Sequence, residues 1–360
     1  MIGTESRHPK YAFYTTREYW SELRNRLDKT IRGDNVLLMT MSFDHTDSMI
    51  TQILKSLHQA LARGVRVQIG IDGHSFLTDH GRAGPLWTHG RLRSPMRKVF
   101  RDKLSAIEAL RTYDTCTVTI LNKPNHRFSV PIVGRSHIKI ALINDNIFIG
   151  GCNMDYSGSI DLMVGLQDSK TAKFLYDIMS GIIQAERTGF AMRGADVLRQ
   201  VDAQTRVLID AGVKRQSIIY DQAINLIDSA EKWLTITCQF LPNSKTAEHL
   251  VMAKKRGVIV DVIYGHPWHQ GMMGGLLQHV SKLRERMRVP ADYFGHRLNR
   301  SDPMLHAKLI ACDKGMMIGS HNYVQAGVTF GTAEIALLVQ NEKTALQSLR
   351  SLERSLKTSA

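Results

Sequence analysis

The chain has 360 residues, 43 % of them apolar and 22 % charged, and its 47 Lys+Arg against 33 Asp+Glu give a formal charge of +14. This composition excludes a disordered or collagen-like chain, and the length allows two domains, or one large one, with a real core. The positive excess favours a polyanionic partner, an anionic membrane surface or a nucleic acid, without choosing between them.

Met1 to His8 lacks the basic-then-apolar layout of a secretory signal, so a cytoplasmic location is expected. Val36-Leu37-Leu38-Met39-Thr40-Met41-Ser42-Phe43 reads as a buried strand. Apolar runs such as Val36 to Met39 fall far short of the roughly 18 residues that cross a bilayer. Ile50, Ile53, Leu54, Leu57 and Leu61 fall at helical spacing and predict a helix from about Ser48 to Leu61. Arg63-Gly64-Val65 ends that helix and opens a strand through Ile71. A loop rich in Gly, His and Trp, from His74 to Trp87, follows. After it comes a basic stretch holding Arg91, Arg93, Arg97, Lys98, Arg101 and Lys103.

A polar helical region between Ala185 and Gln204 separates this half from a second one, which restarts at Arg206 to Gly212. The pattern then repeats. Trp233 to Phe240 is the strand, Lys245 to Lys255 the helix, and Arg256-Gly257-Val258-Ile259-Val260 the turn and next strand. A second loop runs from His266 through Met272, Met273 and Leu276, and a second basic cluster holds Lys282, Arg284, Arg286 and Arg288. Strands alternating with helices predict an α/β fold of two similar lobes, residues 1–190 and 191–360, each a sheet flanked by helices and related by a pseudo-twofold axis.

The chemistry concentrates at the end of each repeat. The first copy is His137-Ile138-Lys139, Asn144 and Gly150-Gly151-Cys152-Asn153; the second is His306-Ala307-Lys308, Asp313 and Gly319-Ser320-His321-Asn322. One offset of 169 residues carries His137 onto His306, Lys139 onto Lys308, Gly150 onto Gly319 and Asn153 onto Asn322 without a gap. An isolated His-x-Lys carries no weight, and His8-Pro9-Lys10 is such a decoy. The same spacing twice, with Gly and Asn in register, is specific. Residues i and i+2 of a strand share a face, so each lobe offers an imidazole and an ammonium together. The glycine turn lets backbone and the Asn amide approach an anionic oxygen. Two such sets brought together would surround one phosphate, with Asn153, Asn322, Gly151 and Ser320 as its binding residues.

This pattern resembles the phospholipase D superfamily, whose signature is His-x-Lys with a downstream Asp and Gly-Gly/Ser-x-Asn, usually present twice. Gln239-Phe240-Leu241-Pro242-Asn243, Arg256-Gly257-Val258 and the Gly150-Gly151 turn are similar to segments of the bacterial cardiolipin synthase branch. Two departures stand out: Asn144 replaces the usual Asp, and Ser159-Ile160 replaces a Trp-Arg pair.

The resemblance implies two mixed-sheet lobes and a two-step displacement in which His137 attacks phosphorus, a phosphohistidine forms, and His306 protonates the leaving oxygen. A nucleophilic His needs a carboxylate on its second nitrogen, and Asp161 and Glu334, just beyond each motif, are the candidates. Lys139, Lys308, Asn153 and Asn322 would neutralise the phosphate charge, so neither cofactor nor metal is expected.

Cys116, Cys152, Cys238 and Cys312 form no Cys-x-x-Cys pair, which argues against zinc and disulfides, and no Gly-x-x-x-x-Gly-Lys loop is present. The expected activity is phosphatidyl transfer or phospholipid cleavage by a monomer whose lobes form one site, peripheral on the inner membrane face. A metal-independent nuclease acting on DNA or RNA is the alternative. Trp87, Trp268, Met272, Met273 and Leu276 are candidates for a lid or a lipid contact.

Overall fold

In the computed structural model the described residues are 11–76, 94–122, 134–155, 157–188, 194–265 and 303–359. The first sheet contains β1 (Ala12–Thr15), β2 (Asn35–Thr40), β3 (Arg66–Asp72), β4 (Cys116–Leu121), β5 (Ile140–Ile143), β6 (Asn146–Gly150) and β7 (Leu162–Gln167), in the order β1-β7-β6-β5-β2-β3-β4. The second contains β8 (Val197–Gln200), β9 (Thr205–Ala211), β10 (Trp233–Cys238), β11 (Ile259–Tyr264), β12 (Leu309–Cys312), β13 (Gly315–Gly319) and β14 (Ala333–Val339), in the order β11-β10-β12-β13-β14-β9-β8. Both sheets are mixed. β2 pairs parallel to β3 and antiparallel to β5, and β10 pairs parallel to β11 and antiparallel to β12.

Alternation along the strands explains why both faces of each sheet are covered. Leu37, Met39, Ile140, Leu142, Ile147 and Ile149 point into one core, where they meet Leu309, Ala311, Met316, Ile318, Ile335 and Leu337 of the other lobe. The helix α3 (Ser94–Arg111) leads into β4; α4 (Ser169–Thr188) contributes Leu175 and Met179 to this shared core, and the C-terminal helix Glu342–Ser359 contributes Leu352. The intervening residues face outward into separate cores. Val36, Leu38, Ala141 and Phe148 pack under α1 (Thr16–Asp28) and α2 (Ser48–Ala62); Ile310, Cys312, Met317 and Ala336 pack under α5 (Ile218–Ser229) and α6 (Ser244–Lys255). An apolar interior continuous from lobe to lobe holds the two motifs in a fixed relation, since truncating one of its large side chains costs about 2–5 kcal/mol.

The repeat is also local. Gly64 and Gly257, each just past a helix, adopt φ of +87° and +91°, a region where a side chain is strained. The chain passes from the first sheet to the second between Thr188 and Val197. The outer edges differ: β4 extends the first sheet beside β3, whereas β8 extends the second beside β9. Among the described residues no helix is long and apolar enough to cross a membrane.

Candidate active site

His137 and Lys139 lie just before β5, and His306 and Lys308 just before β12. The spacing alone predicts that each pair sits within its own strand, and the structure differs for a reason visible in the backbone. Each segment leaves its own sheet to pair with the other lobe. The His137 N–H donates to the Ala333 carbonyl at 2.8 Å, and the Ala333 N–H to the Arg135 carbonyl at 2.8 Å. In the opposite sense, the His306 N–H donates to the Ile160 carbonyl at 2.8 Å and the Ile160 N–H to the Met304 carbonyl at 2.9 Å. Both motifs are thus stitched across the lobe boundary one residue away from Asp161 and Glu334.

The side chains repeat the exchange. His137 Nδ1 lies 2.9 and 3.0 Å from the two carboxylate oxygens of Glu334, and His306 Nδ1 lies 2.6 Å from Asp161 Oδ2. Each imidazole takes its acid from the other lobe. An ionised carboxylate only accepts, so each Nδ1 carries a proton, and each Nε2 is left to act as a base or nucleophile when the ring is neutral and as an acid when it is protonated. His137 and His306 are 8 % and 7 % exposed, and both acids are buried.

The lysines are more deeply set, at 0 % exposure for Lys139 and 1 % for Lys308. Lys139 Nζ donates to the His137 carbonyl at 3.0 Å, and Lys308 Nζ to the His306 carbonyl. Burial, then the charge of Lys308, pushes Lys139 down to about 7, and burial pushes Lys308 down to about 8. Burial holds His137 well below its usual value, and Lys139, Lys308 and His306 act in the same direction. Groups of both lobes therefore act on one imidazole.

The acids are not equivalent. Burial works to raise Asp161, but the charge and hydrogen bond of His306, with Lys308 and the Leu162 amide, hold it below the usual carboxylate range. Burial raises Glu334 above that range, although His321, Lys139, Lys308 and the Ser320 hydroxyl oppose it.

Gly151 and Ser320 sit behind the acids. A Cβ on Gly151 would lie 2.1 Å from Asp161 Oδ1, so only glycine fits there. At the equivalent place the Ser320 hydroxyl donates to Glu334. Asn153 and Asn322 are half-buried; Asn153 Oδ1 lies 3.5 Å from Thr40 Oγ1, and Asn322 Oδ1 has no partner among the described residues. The Asn144/Asp313 position is structural. Asn144 Oδ1 accepts the Asn35 N–H at 3.1 Å, and Asp313 Oδ1 accepts those of Glu231 and Lys232, both at 3.1 Å, pinning the approaches to β2 and β10. Asn replaces Asp there because only an acceptor is needed.

Several contributors carry no motif. Asp72, fully buried at the end of β3, accepts the Ser136 and His74 N–H groups at 2.8 and 2.7 Å and the Asn122 amide at 2.7 Å, and it lies 3.4 Å from the Arg135 guanidinium. It fixes the backbone that delivers His137. Thr16 does the same for Asp161, accepting its N–H at 3.1 Å and donating to the Ser159 carbonyl at 2.6 Å. The only sequence signal for Asp72 is an acid closing an apolar strand. Lys103 does not join the basic surface that its neighbours predict: it is 5 % exposed and its Nζ donates to the Ser75 carbonyl at 3.1 Å. Trp87, Trp268, Met272, Met273, Leu276, Arg91, Arg93, Lys282, Arg284, Arg286 and Arg288 lie outside the described residues. Among the described residues no group of His, Cys, Asp and Glu could hold a metal ion.

Residues 223–356 match the family described as cardiolipin synthase, PLD-like domain. No curated protein matches the sequence. Among solved structures, phosphatidylserine synthase of Haemophilus influenzae Rd KW20 aligns with a TM-score of 0.69 at 13 % identity, over 97 % of this chain and 86 % of that one. Polyphosphate kinase from Porphyromonas gingivalis aligns with a TM-score of 0.56 at 14 % identity, over 97 % of this chain and 50 % of that one. At such identities the likeness is one of fold. The second lobe thus matches a phospholipase D-like domain over residues 223–356, and the chain as a whole shares the two-lobed α/β fold of the phosphatidylserine synthase.

Proposed function

We propose that the chain processes phosphodiesters of phospholipids through a phosphohistidine, as a phosphatidyltransferase similar to cardiolipin synthase or as a phospholipase. The observation that carries this reading is the crossed pairing of two buried imidazoles with two buried carboxylates beside two buried ammonium groups. In the first step His137 Nε2 attacks phosphorus, forming an N–P bond, while the P–O bond to the leaving alcohol breaks and that oxygen takes a proton from His306. In the second, an alcohol or water gives its proton to His306 and attacks phosphorus, and the N–P bond breaks.

The division of labour follows the acids. Burial and Lys308 lower His306, but the charge and hydrogen bond of Asp161 oppose them and favour its protonated form, whereas burial, Lys139, Lys308 and His306 all favour a neutral His137 that can attack. Lys139 and Lys308, with the Asn153 and Asn322 amides, would neutralise charge gathering on the non-bridging oxygens. The formal charge of +14 and the lipid-synthase name of the family matched by the second lobe support an anionic membrane as the working surface; that the protein acts there as a peripheral monomer on the cytoplasmic face is part of the same proposal.

The test is incubation with phosphatidylglycerol vesicles and, separately, with single- and double-stranded DNA, all in chelator. Exchange or release of the lipid head group with no loss to chelator is the expected result. Cleavage of DNA alone would replace this reading with that of a nuclease.

A further inference from the structure

The residue that faces each acid across its sheet differs between the lobes. In the first, Leu162 pairs with Thr15, and the next step along puts Thr16 opposite Asp161, a neutral hydroxyl that binds its N–H. In the second, Glu334 pairs directly with Asp210, which is 1 % exposed. Directly opposed residues of an antiparallel pair share a face, with Cβ atoms about 4.5–5.5 Å apart. A second buried acid therefore shares the sheet face of the acid behind His137, where the acid behind His306 has a hydroxyl. Asp210 is held by the Ser217 hydroxyl at 2.5 Å and the Ile219 N–H at 3.1 Å, at the start of α5.

We propose that Asp210 is a positioning residue which acts through Glu334 on His137, its ionisation adding negative charge behind that pair and stabilising the positive charge the ring gains as Nε2 bonds to phosphorus. The inference rests on the role proposed for His137. Burial raises Asp210 to about 7, against the Ser217 and Ile219 hydrogen bonds and with the charges of Asp196 and Glu334. Asp196, just before β8, accepts the Ala211 and Ile218 N–H groups, and α5 contributes the Ser217 hydroxyl and Ile219 amide. From the remaining sides, His137, His321, Lys139, Lys308 and Ser320 act on Glu334. Cys312, Met317 and Ala336 stand in that outer core without charge. Two like-charged groups this close cannot ionise independently, so the charge of one is felt by the other.

Asp210→Asn removes the charge while retaining an acceptor for Ile219 and a polar partner for Ser217. Ser217→Ala removes that hydroxyl and keeps the charge. The His137 ring nitrogens of the full chain, assigned by their disappearance in His137→Gln, are followed by NMR against pH. The expected result is a step near pH 7 in the unaltered protein, a step moved to higher pH in Ser217→Ala, and loss of the Asp210 component in Asp210→Asn. Lys139 titrates nearby, so the difference between the curves is the readout. Superimposable curves for the unaltered protein and Asp210→Asn would overturn the proposal, as would a step abolished by Ser217→Ala alone. Because the titration needs no turnover, a protein inactive on phosphodiesters that still shows the difference supports the coupling and overturns only the proposed function.

Discussion

The two lobes present the same groups in the same order, but their acids live in different surroundings. Asp161 is packed against Gly151, opposite Thr16, and sits below the usual carboxylate range; Glu334 takes a hydroxyl from Ser320, stands opposite Asp210, and sits above it. A duplicated fold therefore supplies matching positions, and the residues one step behind the reacting groups make them unequal. Two identical imidazoles in one site would compete for one proton; unequal acids remove the competition.

The largest expected effect comes from the imidazoles themselves. His137→Asn and His306→Asn should each lower kcat/KM by at least about 10⁴-fold, and the double variant should be little worse than either, because the two act as a unit. Equal residual activity with either lobe intact would show that the lobes work separately.

Next come the acids, where the lobes should part company. Asp161→Asn and Glu334→Gln should each cost about 10²–10⁴-fold. Asp161→Asn should in addition move the alkaline limb of the pH profile to lower pH, because His306 loses the charge that holds its proton. Identical profiles for the two variants would erase the proposed distinction.

Lys139 separates activity from stability. Its folded value of about 7 lies below the 10.5 of an unfolded lysine, so the folded protein binds fewer protons between these values and stability rises with pH across that window. Below pH 7 the buried ammonium is a standing cost, on the order of a few kcal/mol at about 1.4 kcal/mol per unit. Lys139→Met should abolish most activity yet raise Tm at pH 6, with the gain fading toward pH 10. In the unaltered protein kcat/KM should fall on the alkaline side as Lys139 and Lys308 lose protons at about 7 and about 8.

The smallest effects belong to the turns. Gly151→Ala should displace Asp161 from His306 and cost about 10–100-fold, whereas Ser320→Gly, which removes one hydrogen bond to Glu334, should cost only a few-fold. Kinetics of the two variants side by side would reverse the reading if Ser320→Gly were the worse.

The repeat, the α/β order and the paired His-x-Lys segments are legible in the sequence because they rest on spacing and periodicity, which survive without knowing the fold. Asp161 and Glu334 are legible as acids near the motifs, but their exchange between lobes is not. It depends on the bridges joining Ser136 to Ala333 and Ile160 to Leu305, contacts between residues far apart in sequence and in different lobes. Asp72, Thr16 and Asp210 stay hidden for another reason: each is a single polar residue at a strand or helix end. Thr16 and Asp210 occupy matching places with different chemistry, so no repeat betrays them. The same holds for Lys103, whose basic neighbours predict a surface that its own burial denies.

The central claim is that one phosphorus centre is served by both lobes. The most direct measurement is the stoichiometry and position of covalent label after rapid quench with a phosphodiester carrying radioactive phosphate. One label per chain, on His137 and absent in His137→Asn, is the expected result. Two labels per chain, or label on His306 that persists without His137, would mean two independent sites and contradict it.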